Sequence, residues 1–96
     1  MSVSAPATQR LVISGRVQGV GYRDWMVAQA AALGIAGWVR NRQDGTVEAT
    51  VHGDPAAIEE LVRRAQRGPR LAAVDSVIRL PGDVPSSPDF RRLPTA

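Results

Sequence analysis

The chain has 96 residues and a formal net charge of +3, with twelve arginines, no lysine, no cysteine and one histidine. A chain of this length makes one domain, burying roughly 60–70% of its unfolded surface without the help of staples. The missing side chains exclude a disulfide framework, a thiolate zinc site, a cysteine nucleophile, a Schiff-base or Walker-type lysine and, with His52 alone, a multi-histidine metal site.

Residues 1–8 are polar and small and lack the charged-then-apolar pattern of a signal peptide, so they read as a frayed tail ahead of a single domain over residues 9–96. No stretch reaches the length of a membrane span, and the expected setting is the cytoplasm. Arg10 to Ser14, with Leu11-Val12-Ile13, reads as a first strand ending at Gly15. After a glycine-rich loop the period turns helical from Tyr22 to Leu33, with Tyr22, Trp25, Met26, Gln29, Ala30 and Leu33 on one face and Gly34 as the stop. Ile35 to Arg42 reads as a second strand, and Asp44-Gly45 as a hairpin turn. Thr46 to His52 alternates, with Val47, Ala49 and Val51 inward and Thr46, Glu48, Thr50 and His52 outward. Asp54-Pro55 is a helix start, and Ile58, Leu61, Val62 and Ala65 keep the spacing of a core-facing helix that Gly68-Pro69 ends. Leu71 to Leu80 reads as a fourth strand, Pro81 to Pro88 as loop, and Phe90 to Leu93 as a short edge strand.

This order predicts an α+β fold, a ferredoxin-like βαββαβ sandwich with two helices on one face of an antiparallel sheet. A helical crossover makes the first and second strands parallel although the third lies between them. The loop after the first strand and the end of the second therefore reach the same edge, which makes Arg23 and Asn41 neighbours.

Gly15, Gly19 and Gly21 permit the positive φ angles that turn successive amides into one concavity, and the helix that follows adds the positive end of its dipole. Arg23 lies in the first helical turn, where the dipole disfavours a cation unless an anion sits between them. The loop by itself fits two readings, an anion cradle or a tight turn beside a solvated arginine. It has neither Walker nor dinucleotide spacing.

The string Gly15-Arg16-Val17-Gln18-Gly19-Val20-Gly21-Tyr22-Arg23 closely resembles the signature of the acylphosphatase family. Gly37-Trp38-Val39-Arg40-Asn41, continuing to Asp44-Gly45-Thr46-Val47-Glu48, resembles that family's second signature, and Gly53, Gly68-Pro69 and Val74 form a weaker third block. The resemblance implies hydrolysis of the carboxyl–phosphate anhydride, with Arg23 binding the phosphate and Asn41 orienting the water. The backbone amides of Gln18, Gly19, Val20, Gly21 and Tyr22 would complete the phosphate cradle. It also implies a small acyl phosphate as substrate, inorganic phosphate as product and competitive inhibitor, and no cofactor or metal. The central strands Arg10–Ser14 and Thr46–His52 hold no aromatic and no stretch reaches span length, so no nucleic-acid or membrane partner is expected, and the chain reads as a monomer. The competing classes are a non-catalytic anion- or RNA-binding module of the same fold and a domain fused to a larger carbamoyl-transfer enzyme. The chain's short extent favours the free-standing enzyme.

Other residues carry plainer expectations. His52 reads as a surface histidine without a partner, Asp24 as a helix-start acid able to pair with an arginine, and Asp44 as a turn residue. Glu59-Glu60 with Arg63-Arg64 read as i, i+4 pairs. Arg91-Arg92 carries no assigned role. Family members commonly close on a strand ending in an aromatic residue after phenylalanine, whereas here Phe90 is followed by Arg91-Arg92-Leu93-Pro94-Thr95-Ala96.

Overall fold

A computed structural model describes residues 5–96. The elements in chain order are β1 (Ala7–Arg16), α1 (Tyr22–Leu33), β2 (Ala36–Asn41), β3 (Val47–Gly53), α2 (Pro55–Ala65), β4 (Ala73–Pro81) and β5 (Phe90–Arg92). They form a five-stranded sheet ordered β4-β1-β3-β2-β5, as the ferredoxin-like reading expects, with β5 added in parallel beside β2. β3 pairs antiparallel with both β1 and β2, so those two strands run the same way and end at one edge.

Inward residues of the strands meet the apolar stripes of both helices. Leu11, Ile13, Val39, Val47, Ala49 and Val51 from the sheet are wholly buried, as are Met26 and Ala30 from α1 and Leu61 and Ala65 from α2. Truncating a side chain such as Leu61 to alanine in this layer costs about 2–5 kcal/mol. Trp25, expected on the core face, is only partly buried, and its ring lies beside that of Tyr22 with centroids 5.3 Å apart.

Several boundaries and contacts differ from the sequence reading. β1 starts at Ala7, which pairs with Gly53, so the end of the expected tail is sheet; β3 supplies ladder partners beyond the apolar run. Residues 1–4 of that tail lie outside the described residues. The same extension sets Thr8 opposite His52, and its hydroxyl hydrogen-bonds to Nδ1 at 2.7 Å, so the histidine has a partner after all. Glu48 and Thr50 point away from the helices yet are only 3% and 4% exposed. The arginines flanking Glu48 cover it, and the chain leaving β4 passes over this face, where Pro81, Gly82 and Asp83 line a cleft with Trp38 and Thr50. Glu60 takes both Arg63 and Arg64, while Glu59 pairs across the fold with Arg79.

Candidate active site

The loop between β1 and α1 is shaped by its glycines. Gly15 has φ 117° at an irregularity in the β1–β4 ladder, where a Cβ would sit 2.3 Å from the carbonyl oxygen of Ala73. Gly19 and Gly21 have φ 72° and 79° with open space around them, so backbone conformation alone selects glycine there. Val20 between them has no positive φ. Left-handed residues alternating with ordinary ones are the backbone pattern of anion-binding amide concavities in general.

Gly21 is also the N-cap of α1, and among the described residues no side chain caps that helix. The Trp25 N–H closes onto the Gly21 carbonyl at 3.0 Å, leaving the preceding amides outside the helical ladder. Arg23 and Asn41, the last residue of β2, line one cavity of about 240 Å³ with Gly19 and Gly21. The parallel β1 and β2 thus bring together the two side chains expected to be neighbours. Among the described residues Arg23 forms no salt bridge, so its guanidinium is uncommitted.

Both walls of the cavity are braced. The Gln18 side chain donates from Nε2 to the carbonyls of Arg42, at 2.7 Å, and Thr46, at 2.9 Å, tying the loop to the β2–β3 hairpin. The hairpin itself is closed by Asp44, whose carboxylate accepts from the Thr46 N–H and hydroxyl; those bonds hold its carboxyl below the usual range. The Tyr22 hydroxyl donates to the Ala65 carbonyl at 2.7 Å, and burial pushes the phenol far above its ordinary value. Tyr22 is therefore a neutral anchor pinning the start of α1 to α2. Gly68 leaves room for it, since a Cβ there would lie 2.9 Å from the Tyr22 ring. On the far side, the Ala96 N–H donates to the Asn41 carbonyl at 3.0 Å and the Leu93 N–H to Val39 at 2.8 Å, so the C-terminal segment backs β2 despite its unusual ending.

Two further residues reach the cavity. Arg92 of β5 lines it, and its Nη1 donates to the Asp24 carboxylate at 2.6 Å. No local pattern in the sequence links Arg92 to a helix start 68 residues earlier. Among the described residues no group of three His, Cys, Asp or Glu side chains is placed to hold a metal ion, and no helix is long and apolar enough to cross a membrane.

The acylphosphatase family model matches residues 9–91. The chain belongs to the acylphosphatase family. An acylphosphatase from Acidiphilium cryptum is 53% identical over 87 residues, covering 91% of this chain and 96% of that relative. An acylphosphatase structure from Coxiella burnetii superposes with a TM-score of 0.87 at 33% identity, covering 92% and 93% of the two chains. One from Bacillus subtilis gives 0.85 at 30% identity, covering 90% and 97%. Like its acylphosphatase relatives, the chain is a hydrolase of small acyl phosphates, releasing a carboxylate and inorganic phosphate.

Proposed function

We propose that this acylphosphatase works by in-line attack of a water held by Asn41 on a phosphoryl group gripped by Arg23 and the amides from Gln18 to Tyr22. The observation that carries this reading is that the uncommitted Arg23 guanidinium, the positive-φ glycines and Asn41 line one cavity. Water oxygen bonds to phosphorus as the bond to the acyl oxygen breaks, and that electron pair leaves with the carboxylate. One water proton stays on the new P–OH and the other passes to a phosphate oxygen. Because the leaving carboxylate has a conjugate-acid pKa of about 4, no proton donor is needed. Positioning and charge stabilisation then carry most of the acceleration. Asn41 accepts a hydrogen bond from the water and fixes its line of approach without acting as a base.

The scheme draws on one chain's residues and no metal, in keeping with a monomer. The absence of cysteine fits a cytoplasmic setting. The open face of β1 and β3 offers no Phe, Tyr or Trp for base stacking, which supports a small-molecule substrate over nucleic acid. Isothermal titration of inorganic phosphate, paired with turnover of benzoyl phosphate, tests the assignment: Arg23→Ala loses both, and Asn41→Ala loses turnover alone.

A further inference from the structure

We infer that Arg92 determines acyl-group specificity, its guanidinium receiving a second anionic group on the substrate, so that acyl phosphates of dicarboxylic acids are preferred. The inference rests on the phosphate-gripping role proposed for Arg23 in the same cavity. β5 runs parallel to β2 with Arg92 opposite Val39, close to the Asn41 end of that strand, and the Arg92 side chain reaches the cavity wall. The cavity therefore holds a second guanidinium that a neutral acyl chain would leave unused.

The two guanidinium groups differ in their company. Arg23 forms no salt bridge among the described residues, whereas Arg92 donates from Nη1 to Asp24 Oδ1 at 2.6 Å. A phosphoryl dianion is repelled by the Asp24 carboxylate and favours Arg23 and the loop amides. A singly charged carboxylate meets less repulsion. The Asp24 contact uses only one of the five N–H donors of a guanidinium, leaving an Nη2 and Nε edge that matches a planar carboxylate. The Arg92 side chain is 46% exposed, so it is accessible to an arriving ligand. Asp24 stands in the first turn of α1, where the dipole favours an acid, and it lines the same cavity as Arg92.

The test compares kcat/KM for succinyl phosphate and butyryl phosphate, which share a chain length and differ in a terminal carboxylate against a methyl group. The wild-type protein is expected to favour succinyl phosphate about tenfold, mainly through KM, the size of one charge-assisted contact. That ratio falls as salt is raised. It collapses toward unity in Arg92→Gln and is partly kept in Arg92→Lys, which has the charge without the fork. A wild-type ratio at or below one overturns the inference without recourse to any variant. So does a ratio unchanged in Arg92→Gln, or an equal loss for both substrates, which would put Arg92 on the phosphate instead. If the wild-type protein hydrolyses neither compound, the proposed function falls with it.

Discussion

The Gln18 amide donates to the carbonyl of Arg42 at 2.7 Å, one residue beyond Asn41. Through that contact the loop proposed to hold the phosphate and the strand proposed to hold the water share one side chain. Their separation is thereby fixed, and in-line attack depends on such positioning. Gln18→Ala removes both hairpin bonds, at a cost of about 1–2 kcal/mol in stability. The expected result is a modest fall in Tm with a loss of about tenfold or more in kcat/KM, since small displacements cost rate steeply. Equal kcat/KM in the variant would show that the staple has no part in positioning.

Arg23→Ala should lower kcat/KM by about a thousandfold or more, the range for arginines that stabilise a transferring phosphoryl group. Inorganic phosphate should no longer inhibit. Arg23→Lys restores charge but not the planar fork, so it recovers only part of the loss. Retained phosphate inhibition in Arg23→Ala would place the phosphate elsewhere.

Asn41→Ala should act on kcat with little change in the inhibition constant for phosphate, because the water and not the phosphate loses its partner. The fold is expected to survive, since Asn41 joins β2 to the C-terminal segment through its main chain. A fall in phosphate affinity as large as the fall in kcat would contradict the separation of roles.

Gly21→Ala and Gly34→Ala form a matched pair. Both glycines have left-handed φ, 79° and 69°, at opposite ends of α1 with no atom to clash with a new Cβ. Each substitution should cost about 1–2 kcal/mol of backbone strain by thermal melting. Only Gly21→Ala should also weaken phosphate binding, because its amide belongs to the proposed cradle. Equal effects of the two on phosphate inhibition would count against the cradle.

Glu48 provides a pH dependence unrelated to the reaction. Burial pushes its carboxyl up, but hydrogen bonds from Arg10 and Arg40 outweigh this and hold it below the usual carboxylate range. Its contribution to stability is therefore full above the unfolded carboxyl value and is lost as pH falls through the depressed folded one. Urea midpoints measured from neutral pH down to about pH 3 should fall more steeply for the wild type than for Glu48→Gln. A parallel fall in both would show that the Arg10–Glu48–Arg40 cluster contributes nothing.

The elements that carry local periodicity were legible in the chain. Val47, Ala49 and Val51 alternate, and all three are buried. Ile58, Leu61, Val62 and Ala65 keep helical spacing and form the buried face of α2. The three positive-φ glycines of the loop were also legible, because few other residues adopt that conformation. The topology followed from element order, and with it the meeting of Arg23 and Asn41 at one cavity.

What escaped sequence reading depends on contacts between distant segments. Arg92 meets Asp24 only because β5 returns beside β2, and no spacing rule links the two. The Gln18 side chain ties the loop to the hairpin across 24 and 28 residues, which no local pattern signals. Alternation placed Glu48 outward correctly, but it could not foresee the arginines and the crossing segment that bury it. Exposure is a property of the assembled surface, whereas the direction of a side chain along a strand is local.

In the proposed mechanism Arg23 holds the phosphoryl group without a metal. Hydrolysis of benzoyl phosphate, followed in excess chelator for the wild-type protein and Arg23→Ala side by side, tests this most directly. The expected result is undiminished turnover in the wild type and none above the buffer rate in the variant. Wild-type activity that vanishes in chelator and returns with a divalent ion, or a variant as fast as the wild type, would contradict it.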